Sequence, residues 1–291
     1  MKLRIASRAS DLARWQADHV AARLRSLHPE IEVTVKTFST RGDREGGPLA
    51  HLGGEGLFTL EVDRALREGD AEIAVHSLKD LPIEQPEDLE LVAIPERGPA
   101  TDALVSHDRK PLKELRPGAV VGTSSPRRAA FIRSVRPDVV LTDLRGNVPT
   151  RLGKVESGEL DATMLARAGL VRLGFEAAIT ETLTDLLPAP GQGALGVVVK
   201  HGSSATEIVK ELDHAPTRQA VDAERAVLAG LGGGCSLPLG VHAVPEGDGW
   251  KVSAVLYLDG GGALTDERSG SDPMRLAAEI AQGMRARGAL T

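Results

Sequence analysis

Aromatic residues are scarce in this chain: two Trp, one Tyr and four Phe in 291 residues. With 41% hydrophobic residues, its interiors must be filled mainly by Leu, Val, Ile and Ala. Cysteine is rarer still, with Cys235 standing alone, which excludes an internal disulfide framework and a multi-cysteine zinc site and fits a reducing compartment. No Cys/His cluster supports a transition metal, so no metal is expected. Long apolar runs are missing as well. Met1–Arg8 lacks the core of a signal peptide, and no later stretch approaches a membrane span, so the expectation is a soluble cytoplasmic protein without membrane partners. Positive charge is in deficit, with a net charge of −6, which argues against nucleic-acid binding.

What is present is placed unevenly. Cys235 lies in Gly232-Gly233-Gly234-Cys235-Ser236-Leu237-Pro238, where three glycines remove shielding side chains and a proline fixes the chain soon after. By itself a lone cysteine is more readily a small buried hydrophobe than a reactive group. Several arginines fall in turn-like settings rather than on helix faces: Ser7-Arg8-Ala9-Ser10, Thr40-Arg41-Gly42-Asp43, Ser124-Ser125-Pro126-Arg127-Arg128 and Leu144-Arg145-Gly146-Asn147. Arginines beside Gly, Ser or Thr at strand ends can converge with backbone amides on an anion. Together they point to a cleft binding several anionic groups.

At this length two or three domains are expected. Lys2–Ser7 reads as a strand, and Ser10 caps a helix to Leu27 with Leu12, Trp15, Val20, Leu24 and Leu27 on its apolar stripe. A strand over 31–35, an aperiodic glycine-rich loop over 41–56, a helix with Phe58, Val62 and Leu66 inward, and the strand Ala71–His76 follow. The order then recurs: strand 119–122, a helix capped by Ser125 with Pro126 in its first turn, strand 139–142, a helix from Pro149, and strand 162–166. This structural echo predicts an α/β fold with two periplasmic-binding-protein-like lobes, each with a mainly parallel sheet, and ligands beyond the strand carboxyl ends. The strand 194–200 is expected to return to the first lobe, making 96–101 and 188–193 a double crossover. A small C-terminal α/β domain completes the chain. The expected boundaries are 1–97 with 191–215, 98–190, and 216–291.

Among groups that could do chemistry, Asp80 follows a buried strand and precedes Leu81-Pro82. There it can accept a hydrogen bond from a ring nitrogen and oppose developing positive charge, or equally well cap a turn. His76 lies inside the strand pattern and reads as packed. Thr123, Ser125, Arg127 and Arg128 gather a helix start, two hydroxyls and two guanidiniums, but without the glycine run and lysine of a nucleotide-binding P-loop. Arg145 falls at a strand tip and Arg151 on the first turn of the helix that follows, while Arg172 reads either as a site residue or as a surface helix charge. No Gly-x-Ser-x-Gly elbow supports a serine hydrolase.

In order along the chain, Arg4-Ile5-Ala6-Ser7-Arg8, Thr40-Arg41-Gly42-Asp43, Gly56-Leu57-Phe58, Val75-His76-Ser77-Leu78-Lys79-Asp80, Val121-Gly122-Thr123-Ser124-Ser125, Arg127-Arg128, Leu144-Arg145-Gly146-Asn147-Val148, Gly191-Gln192-Gly193-Ala194 and Gly233-Gly234-Cys235 resemble the porphobilinogen deaminase family over roughly residues 4–240. The resemblance implies a monomeric transferase, a hydroxymethylbilane synthase. Such an enzyme condenses four porphobilinogen units head to tail, each losing ammonia, and hydrolyses the product off as linear hydroxymethylbilane for a downstream synthase. It implies a dipyrromethane cofactor joined by a thioether to Cys235. It makes Asp80 the catalytic carboxylate, also holding the cofactor. Lys79, Thr123, Ser125, Arg127, Arg128 and Arg145 are implied for the cofactor, and Arg8, Ser10, Arg145, Arg151, Arg172 and Gln192 for substrate. His51 and Glu55 depart from the lysines common at their positions, and the loop around them is the implied lid. Two rivals stand beside this reading. A non-catalytic, two-lobed anion-binding protein leaves the glycine-flanked cysteine unexplained, and an acyl-thioester transferase lacks a well-placed histidine base.

Overall fold

The computed structural model describes residues 1–38, 59–234, 237–258 and 260–289. Of the sequence expectations, those on Cys235, on the 41–56 loop with His51 and Glu55, and on Phe58 lie outside these residues. The chain divides into two compact units, Met1–Gly98 with Ala194–Arg218, and Pro99–Gly193 with Gln219–Thr291. It therefore passes between units at 98–99, 193–194 and 218–219.

In the first unit, strands β1 (Lys2–Arg8), β2 (Glu32–Phe38), β3 (Ile73–Ser77) and β4 (Leu89–Ala93) share a sheet with the later β10 (Leu195–Lys200). The order is β2-β1-β3-β10-β4. β1 pairs in parallel with β2 and β3, whereas β10 runs antiparallel to both β3 and β4, so four strands point one way and β10 opposes them. Helices α1 (Asp11–Leu27) and α2 (Leu60–Arg67) belong to this unit, as does the short helix at Thr206–Lys210. Ala17, Val20, Ala21 and Leu24 of α1 bury their apolar stripe against Leu3, Ile5, Val33 and Ile73. Of the stripe expected from the sequence, Val20 and Leu24 are buried and Leu12 and Trp15 half-buried, whereas Leu27 is 43% exposed at the last turn, the core-facing helical positions being filled by Ala17 and Ala21 instead. The aliphatic core confirms that the few aromatic residues are not needed to fill it.

The second unit repeats the plan with β5 (Asp102–Ser106), β6 (Val120–Gly122), β7 (Val140–Thr142), β8 (Ala162–Ala166) and β9 (Glu181–Leu183), ordered β7-β6-β8-β5-β9. β6 is parallel to β7 and β8, and β5 is antiparallel to β8 and β9. Each sheet thus has one reversed strand in the same relative place, and each reversed strand begins just after a passage between units. Helices α3 (Pro126–Val135), α4 (Val148–Glu156) and α5 (Arg167–Arg172) follow β6, β7 and β8 directly. Gly122 lets the end of β6 pack closely, since a Cβ there would lie 2.7 Å from the Leu160 side chain and 2.8 Å from that of Leu144.

The same unit holds an antiparallel three-stranded sheet of β11 (Leu239–Glu246), β12 (Gly249–Tyr257) and β13 (Ala263–Gly270). A helix at Ala215–Gly230 and another at Pro273–Ala286 cover one face through Ala223, Val227, Ile280 and Met284. Val255 and Tyr257 of β12 instead join the core of the five-stranded layer beside Leu112, Phe131 and Met164. The Val241 amide also donates to the Pro188 carbonyl at 2.9 Å. The three-part division read from the sequence is drawn more finely than these two units.

Candidate functional site

Two sets of polar side chains collect at strand carboxyl ends, one in each unit. In the first, β1 ends in Ser7-Arg8 and the chain turns at once into α1. Ser10 takes extended backbone angles, and its Oγ accepts from the Ala13 amide at 3.4 Å, the N-cap role its sequence position predicts. The neighbouring β3 ends at Ser77, whose Oγ accepts from Gln16 Nε2 of α1 at 2.9 Å. The chain then makes a 3-10 turn over Leu78–Asp80. Buried Leu78 and Leu81 anchor this turn, and the Leu78 amide donates to the Ala194 carbonyl at 3.0 Å. Lys79 and Asp80 are left half-buried between them.

The result is a pocket whose lining includes Arg8, Ser10, Gln16, His76, Ser77 and Asp80. It combines a carboxylate, a guanidinium and the positive end of a seventeen-residue helix. Such a set can accept an N–H from a ring and hold an acid group on the same molecule. His76 is buried in the strand, as the sequence pattern predicts, with its Nε2 3.4 Å from Asp63 Oδ1.

In the second unit Ser125 caps α3, its Oγ accepting from the Arg128 amide at 3.5 Å, and Thr123 Oγ1 accepts from the Ser125 amide at 3.2 Å. Ser124 Oγ donates to the Leu144 carbonyl at 2.6 Å and accepts from its amide at 3.1 Å, joining the tips of β6 and β7. Arg127 and Arg128 turn inward onto a single buried carboxylate, Asp102. Arg127 Nη1 lies 2.8 Å from Oδ2, while Arg128 donates to Oδ1 from Nε at 2.9 Å and from Nη2 at 2.6 Å. Backbone carbonyls take further N–H groups, with Leu187 O accepting from Arg127 at 2.7 Å and Met164 O from Arg128 at 3.0 Å. Burial lowers the Arg127 pKa, and the Asp102 charge only partly opposes this. Two guanidiniums on one carboxylate leave a positive charge in excess beside the α3 amides.

Arg145 follows buried Leu144 and precedes Gly146, whose φ of 105° lies in the region that favours glycine. Its buried Nε sits 3.7 Å from Asp143 Oδ2. Asn147 caps α4, and Arg151 Nε donates back to the Gly146 carbonyl at 2.8 Å, so Arg145 and Arg151 flank one turn. Arg172 donates to the Gly193 carbonyl at 2.6 Å, and burial lowers its pKa to about 10. Gln192 is fully buried and donates to the Ala100 carbonyl at 2.7 Å.

Of the residues read from the sequence, Arg8, Ser10 and Asp80 therefore share one pocket. Thr123, Ser125, Arg127 and Arg128 share one helix start, and Arg145 with Arg151 one turn. Arg172 and Gln192 fasten the chain near its passage between units. Sequence reasoning missed Asp102 and Glu224. Asp102 opens the apolar run Ala103-Leu104-Val105, and a charge there demands a buried partner, which was an available signal. Glu224, fully buried, accepts from the Gly191 amide at 2.8 Å and the Ala243 amide at 3.1 Å. It looks like any polar residue of an amphipathic helix and gave no such signal. Among the described residues no group of three or more His, Cys, Asp or Glu is arranged to hold a metal ion.

The family model described as porphobilinogen deaminase, dipyromethane cofactor binding domain, matches residues 3–208, and the model of the porphobilinogen deaminase C-terminal domain matches residues 218–286. Among solved structures, similar chains include a Bordetella pertussis BvgS VFT2 domain (15% identity over 72% of this chain and 86% of that one, TM-score 0.44). Another is the substrate binding domain of a putative molybdenum ABC transporter from Clostridium difficile (13%, 77% and 96%, TM-score 0.43). A TRAP periplasmic solute binding protein from Pseudomonas putida with bound D-glucuronate is similar at 12% identity, 79% and 81% coverage and a TM-score of 0.41.

Proposed function

Because this chain belongs to the porphobilinogen deaminase family, we propose that it joins four porphobilinogen units head to tail, with loss of ammonia at each addition, on a dipyrromethane tethered through a thioether to Cys235. The family makes it a transferase, a hydroxymethylbilane synthase of tetrapyrrole biosynthesis that binds dipyrromethane. The rest is our reading of which residues carry the reaction.

The observation that carries it is the pocket holding Asp80, Arg8 and Ser10 together at the ends of β1 and β3. Porphobilinogen has a pyrrole N–H and two acid side chains, and the pocket offers an acceptor for the first and cationic donors for the second. Asp80 accepts the N–H and opposes the positive charge that grows on the substrate ring as ammonia leaves. It then takes the ring proton released when aromaticity returns. Arg8 and Ser10 hold the incoming substrate's acids, with Arg145 and Arg151 in the same role and Arg172 and Gln192 in support. Arginine suits this work because its fork grips carboxylates in two places and stays charged.

The donors of the second unit fit a carboxylate-bearing cofactor. The Arg127 Nε is buried without a hydrogen-bond partner, and the Arg127–Arg128–Asp102 cluster keeps excess positive charge at a helix start. Thr123, Ser125, Arg127, Arg128 and Arg145, with Lys79 and Asp80, are the residues assigned to hold dipyrromethane. When bound, that group supplies the nucleophilic ring carbon on which the chain is built. We assign the segments 1–97 with 191–215, 98–190 and 216–291 to two lobes and a cofactor-attachment domain. We further take the enzyme to be a cytoplasmic monomer that hands its product to a downstream synthase. No helix among the described residues is long and apolar enough to cross a membrane.

Intact mass and turnover test this together. The purified enzyme is expected to carry the added mass of dipyrromethane and Cys235→Ala to lack it. Asp80→Ala is expected to keep that mass and its melting temperature while losing roughly a hundredfold or more in hydroxymethylbilane formation. A Cys235→Ala protein that still carries the group, or an Asp80→Ala enzyme with ordinary turnover, refutes the assignment.

A further inference from the structure

Arg167 was not among the residues singled out from the sequence. It directly follows β8, and its amide donates to the Thr101 carbonyl at 3.0 Å, extending the β5–β8 ladder by one pair beyond Asp102↔Ala166. Residues opposite each other in an antiparallel ladder present their side chains on the same face. Both side chains carry a buried polar atom without a hydrogen-bond partner, Nε in Arg167 and Oγ1 in Thr101.

Among the described residues the other arginines with a buried, unbonded Nε are Arg127, Arg145 and Arg268, and each guanidinium has a carboxylate oxygen nearby, at 2.8 Å from Arg127 Nη1, 3.7 Å from Arg145 Nε and 3.4 Å from Arg268 Nε. Among the described residues Arg167 forms no such ion pair. Burying a guanidinium N–H and a hydroxyl, each with nothing to receive it, is unfavourable unless something else supplies an acceptor. A carboxylate supplies two, and a guanidinium with a neighbouring hydroxyl is a fitting pair of donors for it.

The position also matters. β6, β7 and β8 are parallel, so the residues after Gly122, Thr142 and Ala166 emerge at one sheet edge. Thr123 and Ser125 belong to the β6 end, Arg145 to the β7 end and Arg167 to the β8 end. The β7 and β8 tips are two strand spacings apart, roughly 10 Å. That span suits acid groups on different rings of a linked chain better than the two acids of one ring.

We propose that Arg167, with Thr101, is a further carboxylate-binding site of the enzyme, holding an acid side chain of the growing pyrrole chain after units have been joined. This rests on the proposed reaction. The test compares the holoenzyme with Arg167→Gln, Arg167→Lys and Thr101→Val, following hydroxymethylbilane formation and, by mass spectrometry of quenched samples, the distribution of enzyme species carrying added units.

Arg167→Gln is expected to turn over roughly tenfold more slowly, with partly extended species accumulating while dipyrromethane loading and melting temperature stay unchanged. Arg167→Lys, which keeps the charge but not the fork, is expected to recover part of the loss, and Thr101→Val to show a smaller effect of the same kind. Wild-type rate and species distribution in Arg167→Gln overturn the proposal. So does a lowered melting temperature in both Arg167→Gln and Thr101→Val with the species distribution unmoved, which assigns a structural role. A wild-type enzyme that makes no hydroxymethylbilane brings down the reaction itself, and this outcome is visible in the control before any variant is compared.

Discussion

Asp102 is fully buried with two arginines upon it, and neither partner can be removed cheaply. Charges taken out of water depend on one another, because an unpaired survivor keeps its desolvation penalty and loses its compensation. Asp102→Asn leaves two buried guanidiniums facing a neutral amide. It is expected to cost about 3–5 kcal/mol of unfolding free energy, read from urea denaturation. A change near zero would mean that water reaches the cluster. The motif Arg127-Arg128 was legible as a site for acids, but the first acid it meets belongs to the protein. No local pattern connects residue 102 to residues 127 and 128; the β5–β8–β6 strand order does.

Caps and strand ends carry most of the information at the scale of elements. Ser10, Ser125 and Asn147 each stand just before a helix and accept from its first turn; the first two starts were readable from the serines, the second with Pro126 behind it, and the third from Pro149. Strands were read where aliphatic residues alternate or cluster, as in 162–166. β4, β5 and β9 were not placed in advance.

One contact ties β1 to the start of β3. Glu72 accepts from the Arg4 amide at 2.7 Å and from Arg4 Nη2 at 2.6 Å. Burial alone would raise the Glu72 pKa, but the Arg4 hydrogen bonds and charge outweigh it and hold the carboxyl below 4.5. A carboxyl depressed in the folded state stabilises the fold above its unfolded pKa and loses that contribution as pH falls through the folded one. Melting temperature is therefore expected to fall below about pH 4.5, and Glu72→Gln to be less stable at neutral pH with a flatter acid limb. Parallel melting curves for both proteins through the acid range would exclude this contact as a source of acid sensitivity.

For the whole molecule, the informative feature is the repeated sheet order with one reversed strand in each unit, β10 in the first and β5 in the second. Polar side chains near the passages bind the chain locally. Gln192 reaches the Ala100 carbonyl, Arg172 the Gly193 carbonyl, and Glu224 the Gly191 and Ala243 amides. Glu224 joins the 188–193 segment to β11 through two backbone donors that would otherwise be buried without partners. Glu224→Ala is expected to speed amide hydrogen exchange selectively at Gly191 and Ala243, with little change in the β1–β3 ladder of the other unit. Uniform acceleration throughout the protein would indicate general destabilisation instead.

The sequence by itself determined the α/β class, the helix starts at Ser10 and Ser125 and the strand ends that bear Arg8, Asp80, Thr123 and Arg145. These follow from short-range rules, namely apolar periodicity, capping chemistry and the turn preferences of glycine and proline, and ordered motifs added the family. Tertiary structure alone decided which charges meet. Asp102 reaches Arg127 and Arg128, Glu224 reaches Gly191, and Thr101 comes to lie opposite Arg167 only because strand order and register bring distant segments together. Pairing across a sheet depends on the whole chain's packing, and no local spacing encodes it.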